Sequence, residues 1–93
     1  MKYAAIAEKR REQRLPAQGP VWIHFDNPQS IEIEGRLVDV SPSGFRMSHG
    51  FPSLAAGQTV DFCHFDSKGT ARVMWNRILD RTVETGFLVV TRK

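Results

Sequence analysis

Arg10 and Arg14, four residues apart, and Asp39, Ser41 and Gly44 within Asp39-Val40-Ser41-Pro42-Ser43-Gly44 are the residues whose types and spacing could do chemistry here. Arginine presents a planar fork of donors that suits phosphate oxygens and the O6/N7 edge of guanine, and it stacks on aromatic bases. The Asp39 carboxylate can accept from guanine N–H groups, the Ser41 hydroxyl can reach phosphate or base, and Gly44 lets backbone approach closely. The patterns R-x-x-x-R and D-x-S-x-x-G therefore suit the binding of an anionic guanine nucleotide. Each is weak alone, because D-x-S-x-x-G also describes a tight turn in which Asp39 or Ser41 bonds local backbone and Gly44 supplies an unusual φ. Asp39 is out of place in a strand, since aspartate is depleted there and a buried carboxylate is costly unless paired. An arginine or a guanine edge would meet that need.

The charge is concentrated where the arginines are. Residues 1–14 carry Lys2, Lys9, Arg10, Arg11 and Arg14 against Glu8 and Glu12, which accounts for the whole formal +3. Residues 15–93 hold eight basic and eight acidic side chains. A basic arm on a neutral body points to an anionic partner recruited to one place, not to a surface coated for duplex DNA. At 93 residues the chain forms one domain, large enough for a modest core without disulfide or metal. Its single cysteine, Cys63, cannot form an internal disulfide, which fits a reducing cytoplasm. The apolar run Tyr3 to Ala7 is too short for a signal-peptide core or a membrane span, so a soluble, membrane-free protein is expected.

These residues must be held by strands. Residues 2–14 favour helix by composition but are too few to be stable alone, so the segment reads as a basic arm that is helical or orders on binding. Pro16, Gly19 and Pro20 then lead into the body, residues 15–93. Val21, Ile23 and Phe25 alternate as a first strand, and Ile31, Ile33, Gly35 and Leu37 mark a long second one. Val38 and Val40 break that parity, which predicts a bulge near Gly35-Arg36 or burial of both faces at the strand end. Phe45 and Met47 suit a third strand, Val60, Phe62 and His64 a fourth, Ala71, Val73 and Trp75 a fifth, and Val83, Thr85, Phe87 and Val89 a sixth. Turn chemistry falls at Ala56-Gly57, Asp66 to Gly69 and Leu79 to Arg81. The pattern predicts an all-β, six-stranded antiparallel barrel, closure being preferred because it removes edges.

Other chemistry finds little support. His24, His49, His64 and Cys63 form no metal-binding spacing, and Cys63 and His64 would face opposite sides of a strand, so no metal is expected. No nucleophile elbow, P-loop lysine or Gly-x-Gly-x-x-Gly is present, so no catalytic residues are assigned and no enzyme is expected. Trp22 and Trp75 read as barrel residues, with Trp75 also a candidate to border the ligand.

The two motifs, in this order and at this separation in a short β-rich chain, resemble the PilZ family. Its domains are small β-barrels that bind the bacterial second messenger cyclic di-GMP. Ala71-Arg72-Val73-Met74-Trp75 and Thr85-Gly86-Phe87-Leu88-Val89 resemble the later strands of that family, so the likeness runs from about Lys9 to Val90. Ser43, where small residues and often glycine are usual, is the one local departure. The resemblance implies a cyclic di-GMP receptor with no other cofactor. Arg10 and Arg14 would clamp phosphate and guanine, Asp39, Ser41 and Gly44 would line the floor, and Lys9 and Arg11 would add contacts. A cation at Lys9 favours a stacked pair of nucleotides over one. With no output domain in the chain, a separate protein partner is expected to read out binding. The alternatives are a small barrel that binds single-stranded nucleic acid, for which a surface row of aromatics and basic residues is lacking, and a PilZ-fold interaction domain that binds no nucleotide.

Overall fold

The computed structural model describes residues 13–26, 28–65 and 67–93, and the described residues contain no helix. Lys9, Arg10 and Arg11, and with them most of the expected arm, lie outside the described residues. Seven strands follow in order: β1 Leu15–Pro16, β2 Pro20–Asp26, β3 Ser30–Ser41, β4 Gly44–His49, β5 Thr59–His64, β6 Ser67–Leu79 and β7 Thr82–Arg92. All neighbours are antiparallel in the order β3-β2-β5-β6-β7-β4, and a β3–β4 pairing closes the ring. The expected six-stranded barrel is thus present, with β1 added beside β3.

Alternation supplies the core. Val21, Ile23 and Phe25 from β2, Ile33 and Leu37 from β3, Phe45 and Met47 from β4, Val60 and Phe62 from β5, Ala71 and Val73 from β6 and Phe87 from β7 are all buried together. Phe45 is fully buried at its centre, stacked on Phe87 with ring centroids 4.8 Å apart and tilted against Phe62 at 5.1 Å. Truncating such a ring to alanine typically costs about 3–5 kcal/mol, so this aromatic cluster anchors the barrel.

Of three register shifts among the described residues, at Leu37/Asp39, Thr70/Ala71 and Val73/Trp75, the first and last decide which residues face out at one end of the barrel. In β3 the register shifts between Leu37 and Asp39, because Leu37 opposes Met47 while Asp39 opposes Arg46. The parity break read from Val38 and Val40 is therefore real, but it lies at Val38 and not at Gly35-Arg36. An extra residue reverses the alternation beyond it, so Val40 turns toward the core and Asp39 turns outward. The last shift lies between Val73 and Trp75 in β6, leaving Trp75 opposite Gly86. The expected run Ala71, Val73, Trp75 on one face ends there. Ala71 and Val73 are core residues, whereas Trp75 and Trp22 sit on the outside, about two-fifths exposed.

Two further expectations shift. The β5–β6 turn is shorter than the sequence suggests: β6 already begins at Ser67, and Phe65 takes the left-handed φ of 45° that so tight a reversal demands. Leu15 and Pro16, expected only to lead into the body, pair with Val40 and Asp39 of β3. Ala17 N–H donates to the Val38 carbonyl at 3.2 Å, and Leu37 N–H donates to the Gly19 carbonyl at 2.9 Å. β1 and β2 thus run along the same side of β3, and the chain reaches the barrel already aligned with Asp39.

Candidate functional site

The bulges in β3 and β6 bring Asp39 and Trp75 into one row across the outer face. Asp39 opposes Arg46, Arg46 opposes Gly86, and Gly86 opposes Trp75, so the row crosses β3, β4, β7 and β6. Directly opposed residues share a face, and at about 4.8 Å per strand the row spans about 14 Å. Arg14, the residue before β1, joins the row at its Asp39 end.

Asp39 is the hub. Arg14 Nε donates to Oδ1 at 3.1 Å, while Arg46 donates to Oδ2 through Nε at 2.8 Å and also through Nη2. The Asp39 side chain is only 8% exposed, against 41% for Arg14 and 29% for Arg46. Burial pushes the Asp39 carboxyl up, but hydrogen bonds from Arg46 and Arg14 and their two charges outweigh it and hold the group below its ordinary value. The Asp39 hydrogen bond in turn raises Arg46, against a smaller opposing effect of burial. The charge ladder continues outward. Glu84 Oε1 lies 3.8 Å from Arg46 Nη1 and accepts from Arg77 Nη2 at 2.7 Å.

The motif residues divide between outward-facing and structural positions. Arg14 commits Nε to Asp39, and its side chain remains 41% exposed. Ser41 is buried at the closing pair of the β3–β4 hairpin, where its hydroxyl donates to the Gly44 carbonyl at 3.5 Å. Gly44 does not have the unusual φ of the turn reading. Its backbone lies so close to β7 that a Cβ would sit 2.1 Å from the Phe87 carbonyl oxygen. The close approach expected at Gly44 is therefore made to the neighbouring strand. Gly86 serves Trp75 similarly, since a Cβ there would lie 2.4 Å from indole Cε2 and Nε1, so the indole rests over the bare Gly86 backbone.

Of the two partners expected for Asp39, an arginine or a guanine edge, the structure shows arginine at both carboxylate oxygens. Arg14 was expected to belong to an unattached arm, yet it is tied to the barrel through Asp39 and the adjoining β1 pairing. Arg46 was missed, although the sequence contained its signal. If Ser41 and Gly44 close a two-residue hairpin, Asp39 must oppose Arg46 once Val40 is paired with Phe45.

The site is an open strip and not an enclosed pocket. Clefts of about 340, 200 and 230 Å³ lie elsewhere, beside His24 and Asp61, at the tip of the β6–β7 hairpin, and beside Cys63 and Phe65. Among the described residues no group of three or more His, Cys, Asp or Glu side chains could hold a metal. Among the described residues no helix is long and apolar enough to cross a membrane. An exposed strip of two arginines and an indole can bind a flat, anionic, aromatic molecule laid along it.

The PilZ domain family matches residues 8–88. That span covers both motifs, β1 to β6 and most of β7, and the chain belongs to the PilZ domain family, which is known for binding cyclic di-GMP. Comparison with individual curated proteins gives no match.

Proposed function

We propose that this chain is a receptor for cyclic di-GMP that binds the nucleotide on the strip between Arg14 and Trp75. The observation that carries the reading is the convergence of Arg14 and Arg46 on Asp39 in the row that ends at Trp75. A carboxylate that pairs both guanidinium groups holds them oriented and limits their repulsion before any ligand arrives. Their remaining donors then meet phosphate oxygens or the guanine O6/N7 edge as charge-assisted hydrogen bonds. The Trp75 indole offers a stacking face at the far end. Arg10, with Lys9 and Arg11, adds contacts to the nucleotide, and Lys9 favours a stacked pair. Ser41 and Gly44 act by fixing the hairpin that aligns Asp39 with Arg46.

In this reading the protein is a receptor and not a catalyst, needs no further cofactor, and works in the cytoplasm, where Cys63 stays reduced. The signal passes to a separate protein partner that recognises the nucleotide-bound strip and the arm above it. Isothermal titration with cyclic di-GMP, GTP and a short oligonucleotide tests the reading. Saturable binding of cyclic di-GMP that is much tighter than that of GTP is the expected result. Preference for the oligonucleotide, or no binding of either nucleotide, would overturn it.

A further inference from the structure

Behind the strip, on the inner face of the same strands, lies a buried hydrogen-bond relay that ligand binding does not use. Asn76 Nδ2 donates to the Leu54 carbonyl at 2.6 Å, which fixes the orientation of its amide. Asn76 Oδ1 therefore accepts the Thr85 hydroxyl proton, at 2.6 Å. Having spent its one proton, Thr85 Oγ1 must accept from His49 Nε2–H, 2.7 Å away. His49 Nδ1 in turn accepts from Phe51 N–H at 3.0 Å. A neutral imidazole with its proton on Nε2 satisfies every one of these bonds. An imidazolium does not, because a proton on Nδ1 would point at the Phe51 N–H.

From this relay we propose that His49 is a proton-sensitive latch on the segment that follows β4, closed when the imidazole is neutral and open when it is protonated. Protonation turns the Nδ1 acceptor into a donor, so Phe51 N–H loses its partner while the bond to Thr85 persists. Release begins at Gly50 to Ser53, next to His49. The distal part of the segment stays anchored by buried Leu54 and by the backbone bond from Gly57 N–H to the Val73 carbonyl at 2.7 Å. Two apolar surfaces depend on the closed position. Phe51 packs edge-on against Phe25 of the core, and Gly50 and Pro52 form one side of the hairpin-tip cleft also lined by Ile78, Leu79 and Val83.

Among the described residues no charged partner offsets the change. Burial alone lowers the His49 pKa. The groups around the ring are Thr85 of β7, Asn76 of β6, the Phe51 backbone, and Gly35 of β3, where a Cβ would lie 3.0 Å from that of His49. Glu84 and Arg77, neighbours of Thr85 and Asn76 in sequence, lie on the opposite face and bond each other. Asp80 and Arg81 line the hairpin-tip cleft with Gly50 and Pro52, and neither is hydrogen-bonded to His49. Because the folded pKa is depressed, the closed state is fully favoured above the ordinary histidine value of about 6.5 and is progressively lost as pH falls below it.

Hydrogen exchange followed by NMR between about pH 7.5 and pH 5, where histidine changes charge, tests the latch without any ligand. Corrected for intrinsic exchange, opening of the Phe51 amide should rise by up to about tenfold for each pH unit below about 6.5 and level off where His49 itself titrates in the folded protein. Core amides of β5 should not follow at the upper end of that range. His49→Gln supplies the same donor and acceptor pair without titrating, so Phe51 protection in it should be independent of pH. Equal pH dependence in wild type and His49→Gln would overturn the proposal, as would titration of His49 with no change at Phe51. If the variant does not fold, correlation of the His49 and Phe51 signals in the wild type decides by itself.

Discussion

Replacing Asp39 by asparagine keeps the shape of the hub and removes its charge, so it isolates what the carboxylate does for the two arginines. Arg14 is 41% exposed, so its pair with Asp39 is discounted to the value of a surface ion pair, about 0.5 kcal/mol. Arg46 is less exposed and places two donors on one oxygen, which supports about 1.5 kcal/mol for a charge-assisted interaction. The sum, about 2 kcal/mol at neutral pH, corresponds to a Tm lowered by about 8–16 °C in a domain of this size. The pH dependence has a definite sign. A carboxyl whose folded pKa is depressed contributes its full stability above the unfolded value of about 3.9 and loses it as pH falls through the folded value. Urea unfolding of wild type and Asp39→Asn from about pH 7 down to about pH 2 should therefore show curves that converge at the acid end. The His49 contribution is common to both proteins and cancels in the difference. A stability gap that stays constant over this range, or no gap at pH 7, would refute the assignment of Asp39 as an ionised hub.

The two close-approach glycines should respond differently. In Gly44→Ala the new methyl meets the Phe87 backbone carbonyl, which can yield only if β4 and β7 separate, so a loss of about 3 kcal/mol is expected in chemical denaturation; a wild-type midpoint would refute the close-approach account. In Gly86→Ala the obstacle is the end of the Trp75 side chain, which can swing into solvent, so stability should change by less than about 1 kcal/mol while tryptophan fluorescence shifts. If Trp75 stacks on a base, the same variant should lose about 1–3 kcal/mol of cyclic di-GMP affinity, and unchanged affinity would remove Trp75 from the site.

Strand alternation was legible because each strand buries one face, so Val21, Ile23 and Phe25, or Val60 and Phe62, announce themselves through their period of two. The bulges were harder. A single extra residue changes no composition and shows only as a parity break, which Val38 and Val40 displayed but did not locate. In β6 the break was hidden altogether, since Met74 and Trp75 are both apolar and either could have been the core residue. The site suffered the same blindness. Arg14 and Asp39 were visible through their motifs, but their mutual bond was not, because it depends on Leu15 and Pro16 pairing with β3, and a two-residue bridge has no sequence period. Arg46 became recognisable only once the hairpin register was fixed by Ser41 and Gly44. Gly44 was expected to let backbone approach a ligand, and what lies against its bare Cα in the fold is a strand 43 residues away in sequence.

The central claim is that Arg14, held by Asp39 at one end of a strip that ends at Trp75, binds cyclic di-GMP. Isothermal titration of cyclic di-GMP into wild type and Arg14→Ala, with each protein's fold checked by its Tm, tests it most directly. Wild type should bind saturably, and Arg14→Ala should lose about 2–3 kcal/mol of binding, roughly thirty- to 150-fold, because a charge-assisted contact to phosphate or guanine is removed. Its Tm should fall only slightly, since the pair it breaks is half in solvent. Absence of wild-type binding, or an Arg14→Ala protein that binds with wild-type affinity, would contradict the account.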